Sequence, residues 1–255
     1  MRALLEVDEV TVRFGGVVAL DGLSFTIDDG QLCALIGPNG AGKTTFFNVV
    51  SRIYLPTTGH VRFAGQDLLA VPAHRIAKVG ITRTFQNLAL FPGLSVLQNV
   101  MVGAHSWTTG GFVGAMLGVP QWGADRQRRA EAYELLERLG LAQFANRPAA
   151  GLPYGTLKRI ELARALASKP KLLMLDEPAS GLTHAEVDEL AAVIQQMRID
   201  FGLTVLLVEH HMGMVMSISE KVVVMEFGKK IAEGTAEQVA NDPAVIEAYL
   251  GASTS

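Results

Sequence analysis

Gly37-Pro38-Asn39-Gly40-Ala41-Gly42-Lys43-Thr44 is the stretch on which the fold turns. It fits the pattern G-x-x-x-x-G-K-[ST], in which glycines let successive backbone N–H groups turn inward around a phosphate. An apolar run of strand length, Gln31–Ile36, precedes it. After it, Phe46, Phe47, Val49, Val50 and Ile53 recur at a spacing that predicts a buried helix from Thr44 to about Tyr54, ended by Pro56. Strand, loop and helix in that order point the positive end of the helix at the anion held by the loop. In such a loop Lys43 reaches the β- and γ-phosphates and the Thr44 hydroxyl supplies a ligand to Mg²⁺. Gly37, Pro38, Asn39, Gly40, Ala41, Gly42, Lys43, Thr44 and the adjoining Thr45 are therefore the expected nucleotide contacts.

Upstream of the loop, Leu4–Val12 and Val17–Ile27 read as strands, closed by the turn Asp28-Asp29-Gly30. Downstream, His60–Phe63 and Ile81–Phe85 look like further short strands. From Asn87 to about Leu152 the character becomes helical, with Trp107, Trp122, a glycine-rich stretch from Gly110 to Gly123 and an amphipathic helix over Asp125–Leu139. Strand and helix then alternate: helix Thr156–Ser168, strand Lys171–Leu175, helix Ala185–Phe201, strand Thr204–Val208 and strand Lys221–Met225. Near-continuous apolar strands alternating with helices predict a parallel sheet covered on both faces, here interrupted by a helical insert.

The strand ending at Leu175 delivers Asp176 and Glu177 at its C-terminal end, the edge where open α/β sheets bind ligands. Alone, an Asp-Glu pair there is ordinary helix capping about half the time. Beside a phosphate loop, Asp176 is placed to hold Mg²⁺ and Glu177 to polarise an attacking water.

The bulk composition narrows the choice further. Over 255 residues, 49% are hydrophobic and the formal charge is −3, with no basic stripe, so nucleic acid is not an expected partner. Cys33 is the only cysteine, which excludes an intrachain disulfide and suits a reducing compartment. The opening MRALLEVDEV meets Asp8 and Glu9 too soon for a signal peptide, and no run approaches the roughly 18 apolar residues of a membrane span.

These motifs stand in the order of the ATP-binding cassette (ABC) ATPases, and the chain most resembles the ATPase subunits of branched-chain amino acid importers. The resemblance rests on RFGGVVALDGLSF at Arg13–Phe25, RTFQNLALFPGLSVLQNVMVGAH at Arg83–His105 and LPYGTLKRIELARAL at Leu152–Leu166. LDEPASGL at Leu175–Leu182, LLVEHHM at Leu206–Met212 and AEGTAEQVANDPAVIEAYLG at Ala232–Gly251 extend it. It implies an α/β fold of the P-loop NTPase (RecA-like) type, with a parallel-sheet core, an antiparallel N-terminal β subdomain and an inserted α-helical subdomain. The implied division is 1–86 and 153–235 for the core, 87–152 for the helical subdomain and 236–255 for a C-terminal helical tail.

The resemblance also implies roles. Gln86 would bridge Mg²⁺, the attacking water and the membrane partner, its amide donating and accepting at once. Phe14 matches the aromatic that stacks on adenine, although a core aromatic is the competing reading. His210 matches the histidine that holds the γ-phosphate and Glu177 in line, with the adjacent His211 as alternative. Catalysis would then fall to Glu177, His210 and Lys43, and metal binding to Thr44, Gln86 and Asp176. Tyr154 and Gly155 would contact the partner subunit's nucleotide from the family's signature loop. That loop, usually L-S-G-G-Q, departs here at Pro153 and Thr156, leaving the backbone and helix dipole to meet phosphate. Thr183 stands where many relatives place an aspartate at the dimer seam.

By the same resemblance the chain would bind ATP and Mg²⁺ and pair head to tail with a second ATPase subunit, its own copy or a paralogue. It would drive transmembrane permease subunits at the cytoplasmic face of the inner membrane, served indirectly by a solute-binding protein. Phe112–Val119, Trp107 and Trp122 would form either a docking surface for the permease or the insert's own small core. The tail favours amino acids as cargo, with urea or amides and lipid as the alternatives. Three rivals remain: a P-loop phosphotransferase, which usually lacks a glutamate after the aspartate of this strand; a non-transport ABC protein of repair or translation, which generally carries two cassettes or a long coiled coil; and a nucleotide-binding regulator without turnover, against which Glu177 and His210 argue.

Overall fold

The computed structural model describes residues 2–84, 88–104 and 122–251. Two sheets form the frame. The first pairs β1 (Ala3–Phe14) with β2 (Val17–Asp28) and with β4 (Thr58–Phe63), all antiparallel, and ends on the short β5 (Gln66–Asp67). The second has the order β10-β9-β3-β8-β7-β6, made of β3 (Leu32–Ile36), β6 (Ile81–Arg83), β7 (Leu172–Asp176), β8 (Thr204–Val208), β9 (Lys221–Glu226) and β10 (Lys229–Gly234). Its strands run parallel except at the edge pair β9–β10.

Alternation along the central strands explains the packing. Leu32, Leu173, Leu175, Val205 and Leu207 point to one face, where they join residues of α3 (Val96–Gly103), α4 (Trp122–Arg138), α5 (Tyr154–Leu166) and α6 (His184–Phe201). Cys33, Leu35, Leu172, Met174, Leu206 and Val208 point to the other, against α1 (Lys43–Val50), Ile76 of the short α2 (Ile76–Val79) and the antiparallel sheet. This period of two, with both faces buried, is why the strands read as unbroken apolar runs. Burial pushes the Cys33 thiol up to about 12, which makes it a packing residue and leaves it inert. A third cluster joins Ala34, Ile36, Val222 and Val224 to Val215 of α7 (Met212–Ile218), Val239 of α8 (Ala236–Ala240) and Val245 of α9 (Pro243–Gly251).

Some expected boundaries move. The first helix ends at Val50, short of Tyr54, because Arg52 adopts a left-handed φ of 61° and the N–H groups of Ile53 and Tyr54 both turn back to Asn48 O. Ile53, expected on the buried face, is consequently exposed. The helix expected from Thr156 starts at Tyr154, since Pro153 takes the cap position and Gly155 is absorbed into the first turn. β10 was not expected; none of its residues is fully buried, so no apolar pattern announced it. Phe85, expected to end β6, lies outside the described residues. Among the described residues no helix is long and apolar enough to cross a membrane.

Candidate nucleotide site

β3, β7 and β8 end in register, so Ile36, Asp176 and Val208 reach the same edge of the sheet. The loop from Gly37 to Gly42 springs from the end of β3 and is clamped by its neighbours. A Cβ on Gly37 (φ 151°) would lie 2.0 Å from Met225 O, and one on Gly42 (φ 101°) would lie 2.5 Å from Ala19 O. Only glycine fits at either position. Gly42 caps α1 without any side-chain hydrogen bond, so the first N–H groups of α1 keep their bonding capacity for an anion.

Lys43 is 7% exposed and donates from Nζ to Gly37 O at 2.6 Å and Pro38 O at 2.9 Å. Burial lowers its pKa, while Glu177 and Asp176 act in the opposite direction. The ammonium is thus already drawn into the loop where a phosphate would complete its shell. Thr44 follows on α1 and is exposed; Thr45 is half-buried.

Across the edge, Glu177 sits at a left-handed φ of 49°, an uncommon conformation for a side-chain-bearing residue. Its N–H donates to Val208 O at 2.8 Å, which ties it to the end of β8. The result is a contact of 2.6 Å between Glu177 Oε1 and His210 Nε2. His211 turns away: its ring packs edge-on to His184 with centroids 6.4 Å apart. The structure therefore brings together Lys43, Asp176, Glu177 and His210. Gly37, Pro38, Asn39, Ala41 and His210 line one cleft of about 700 Å³.

Asp176 is engaged by a residue that the motif reading missed. Arg83 Nη2 lies 2.6 Å from its Oδ2, both side chains about one-tenth exposed, and Arg83 Nη1 donates to Asn48 Oδ1 at 2.8 Å. The signal was the strand before Gln86, which brings Arg83 beside Met174 in the pairing of β6 with β7. Tyr249 was missed as well. It lines the same cleft from α9; burial raises its pKa, and a hydrogen bond with the Gly37 backbone offsets part of that rise. Gln86 lies outside the described residues.

The remaining candidates sit apart from the cleft. Phe14 is 46% exposed at the end of β1, its ring meeting Tyr54 edge-on with centroids 5.0 Å apart. Pro153, Gly155 and Thr156 border a separate small cavity of about 110 Å³ with Leu182 and Glu186. Tyr154 is 41% exposed, and its ring covers Gly181 and the Lys158 ammonium, 5.6 Å from the ring centre. Thr183 caps α6 in a reciprocal box with Glu186, whose pKa is lowered by the Thr183 N–H and hydroxyl. A cavity of about 530 Å³, among Leu135, Arg138, Leu166, Lys169 and Phe201, holds none of these groups.

A parallel sheet, a glycine-clamped loop at its C-terminal edge and a lysine drawn into that loop define a P-loop nucleotide-binding ATPase domain. The family pattern described as ABC transporter matches residues 20–180, and the chain belongs to that family. A second pattern, described as branched-chain amino acid ATP-binding cassette transporter, matches residues 229–254. The chain is 43% identical to the high-affinity branched-chain amino acid transport ATP-binding protein BraF of Pseudomonas aeruginosa, with 98% of each chain covered. It is 41% identical to the corresponding protein LivG of Escherichia coli, covering 97% of this chain and 98% of that one. Among solved structures it resembles the ADP conformation of MJ1267, an ATP-binding cassette of an ABC transporter, with a TM-score of 0.87, 29% identity and 98% and 100% coverage.

Proposed function

We propose that this chain hydrolyses ATP to power a transporter of branched-chain amino acids, working as an importer. The observation that carries the hydrolytic part is the 2.6 Å contact of His210 with Glu177, facing Lys43 and the glycine loop across one edge. The cargo rests on the similarity to BraF and LivG and on the C-terminal pattern over residues 229–254.

In this reading the loop amides of Gly37–Thr44 and the Lys43 ammonium hold the β- and γ-phosphates. Phe14 stacks on adenine. Glu177 accepts a hydrogen bond from water and orients it for in-line attack on the γ-phosphorus. The new P–O bond forms as the bridging P–O bond to ADP breaks, and the water's proton passes to Glu177 and onward to solvent or phosphate. His210 Nε2, donating to the Glu177 carboxylate, holds it in line with the attacking water beside the phosphoryl group.

Mg²⁺ suits the donors at this edge. Thr44 hydroxyl and Asp176 carboxylate are hard oxygen ligands, and no group of three or more His, Cys, Asp or Glu among the described residues could cage a metal outright. Magnesium is the ion that takes few protein ligands and completes its shell with phosphate and water. Thr44 and Asp176 would hold it, joined by Gln86, and the ion would supply charge neutralisation on the phosphates. Arg83 holds the Asp176 carboxylate in position meanwhile.

Tyr154 and Gly155 open α5 outside the cleft, which fits a surface that serves the nucleotide of a second ATPase subunit. Two subunits would then close head to tail over two ATP molecules. Hydrolysis would remove the bridging contacts and pass the opening motion to permease subunits at the cytoplasmic face of the membrane. A solute-binding protein would present the amino acid on the far side.

The test is Glu177→Gln. Nucleotide affinity should stay within about threefold while turnover falls by roughly 10³ or more, since only the transition-state contact is lost. Turnover within tenfold of the parent, measured as released phosphate, would remove Glu177 from this role.

A further inference from the structure

Glu209, the residue before His210, is 2% exposed, and no ion pair reaches it among the described residues. A buried carboxylate in that position needs other partners. It has them in backbone N–H groups from two different loops. Oε1 accepts from Ala179 N at 2.6 Å, in the loop that follows β7 and Glu177. Oε2 accepts from His210 N at 2.8 Å and His211 N at 3.1 Å, in the loop that follows β8.

We infer that Glu209 is the positioning residue of the hydrolytic site, strapping the loop of Glu177 to the loop of His210 and so setting the contact between them. This rests on the reading of Glu177 and His210 given above. Glu177 N also donates to Val208 O at 2.8 Å, a bond at the end of β8 that leaves the direction of the His210 ring unfixed. A displacement of His210 by about 1 Å would stretch a 2.6 Å contact beyond hydrogen-bond range. The strap fixes His210 at its own backbone N–H, so the ring enters from a set position.

A carboxylate suits this role for a reason of chemistry. Both of its oxygens accept, and each here faces N–H donors only. An amide of the same shape has one accepting end, so its NH₂ must point at either Ala179 N–H or the His210 and His211 pair. One loop would then be released, with a buried N–H left without a partner. The same loop carries the strap toward the signature region: Gly181 lies under the Tyr154 ring, two residues beyond Ala179. Movement of the signature loop thus has a packed route to His210.

The experiment is a double-mutant cycle on the assembled transporter: Glu209→Gln, His210→Ala and both together, with turnover, KM for ATP and thermal midpoint recorded. Glu209→Gln should slow turnover at saturating ATP by roughly 10- to 100-fold with KM within about twofold, and the double variant should be no slower than His210→Ala. A residue that merely supports the fold would raise KM in step or add its loss to that of His210→Ala. Either result overturns the inference, as does a Glu209→Gln variant with turnover within twofold of the parent. Unchanged turnover in His210→Ala would overturn the role of His210 itself and this inference with it. Should Glu209→Gln fail to fold, Glu209→Asp, charged but one methylene too short to span both loops, is read by the same cycle.

Discussion

The loop Gly37–Thr44 and the loop Leu152–Thr156 each open a helix that has no side-chain cap, yet they are built differently. In the first, the glycines are pressed against fixed backbone: Met225 O and Ala19 O stand 2.0 and 2.5 Å from where a Cβ would be. A buried lysine is drawn in beside them. In the second, a Cβ on Gly155 would meet the Glu186 carboxylate at 3.1 Å, the far end of a flexible side chain, and Pro153 offers no capping side chain. The first loop is preorganised by its own chain. The second is a presented surface at the start of α5, outside the cleft that the first loop lines.

Lys43→Ala should break the first region most severely. Its charge has no substitute in the loop, so turnover should fall by roughly 100-fold or more, and the rise in thermal midpoint that ATP produces should vanish. Calorimetric titration with ATP checks this; an affinity within threefold of the parent would mean that the backbone alone carries the phosphate.

The contrast in the glycines predicts a difference in stability. Gly42→Ala should destabilise the fold by about 2–4 kcal/mol, because the left-handed φ and the Ala19 carbonyl both oppose a side chain. Gly155→Ala should stay within about 1 kcal/mol of the parent, since Glu186 can move and alanine favours a helical turn. Urea denaturation of the two variants decides; equal losses would erase the distinction drawn between the loops.

Pro153→Ser should have the smallest effect. A serine at the cap of α5 can accept from an N–H of the first turn, giving about 0.5–1 kcal/mol of added stability with turnover retained. A loss of stability would show that the proline itself, through its fixed φ, holds the loop.

Legibility in the sequence followed the kind of physics at each place. Strands β3, β7 and β8 were readable because both faces are buried and every position except Asp176 and Thr204 is apolar, whereas β10, an exposed edge strand with the sequence KKIAEG, gave no hydrophobic pattern to read. The end of α1 was misplaced because a left-handed residue at Arg52, not a proline or glycine, turns the chain. The choice of His210 over His211 rested on register alone in the sequence; the structure supplies a reason, a ring contact that takes His211 toward His184. Arg83, Tyr249 and Glu209 lie inside stretches that carry the resemblance, yet the sequence assigned them no role. Their importance comes from what lies opposite them.

What the sequence determined by itself was the phosphate loop, the acidic strand end and the alternation of strand and helix. These follow from short-range rules: glycine where the backbone must turn, apolar residues at the period of a buried element. What only the tertiary structure decided was how separated segments meet: Arg83 on Asp176, Tyr249 against Gly37, and Glu209 between the loops of Glu177 and His210. Such contacts join residues far apart in the chain, and their partners are often backbone N–H groups, which every sequence has and which only folding places in position.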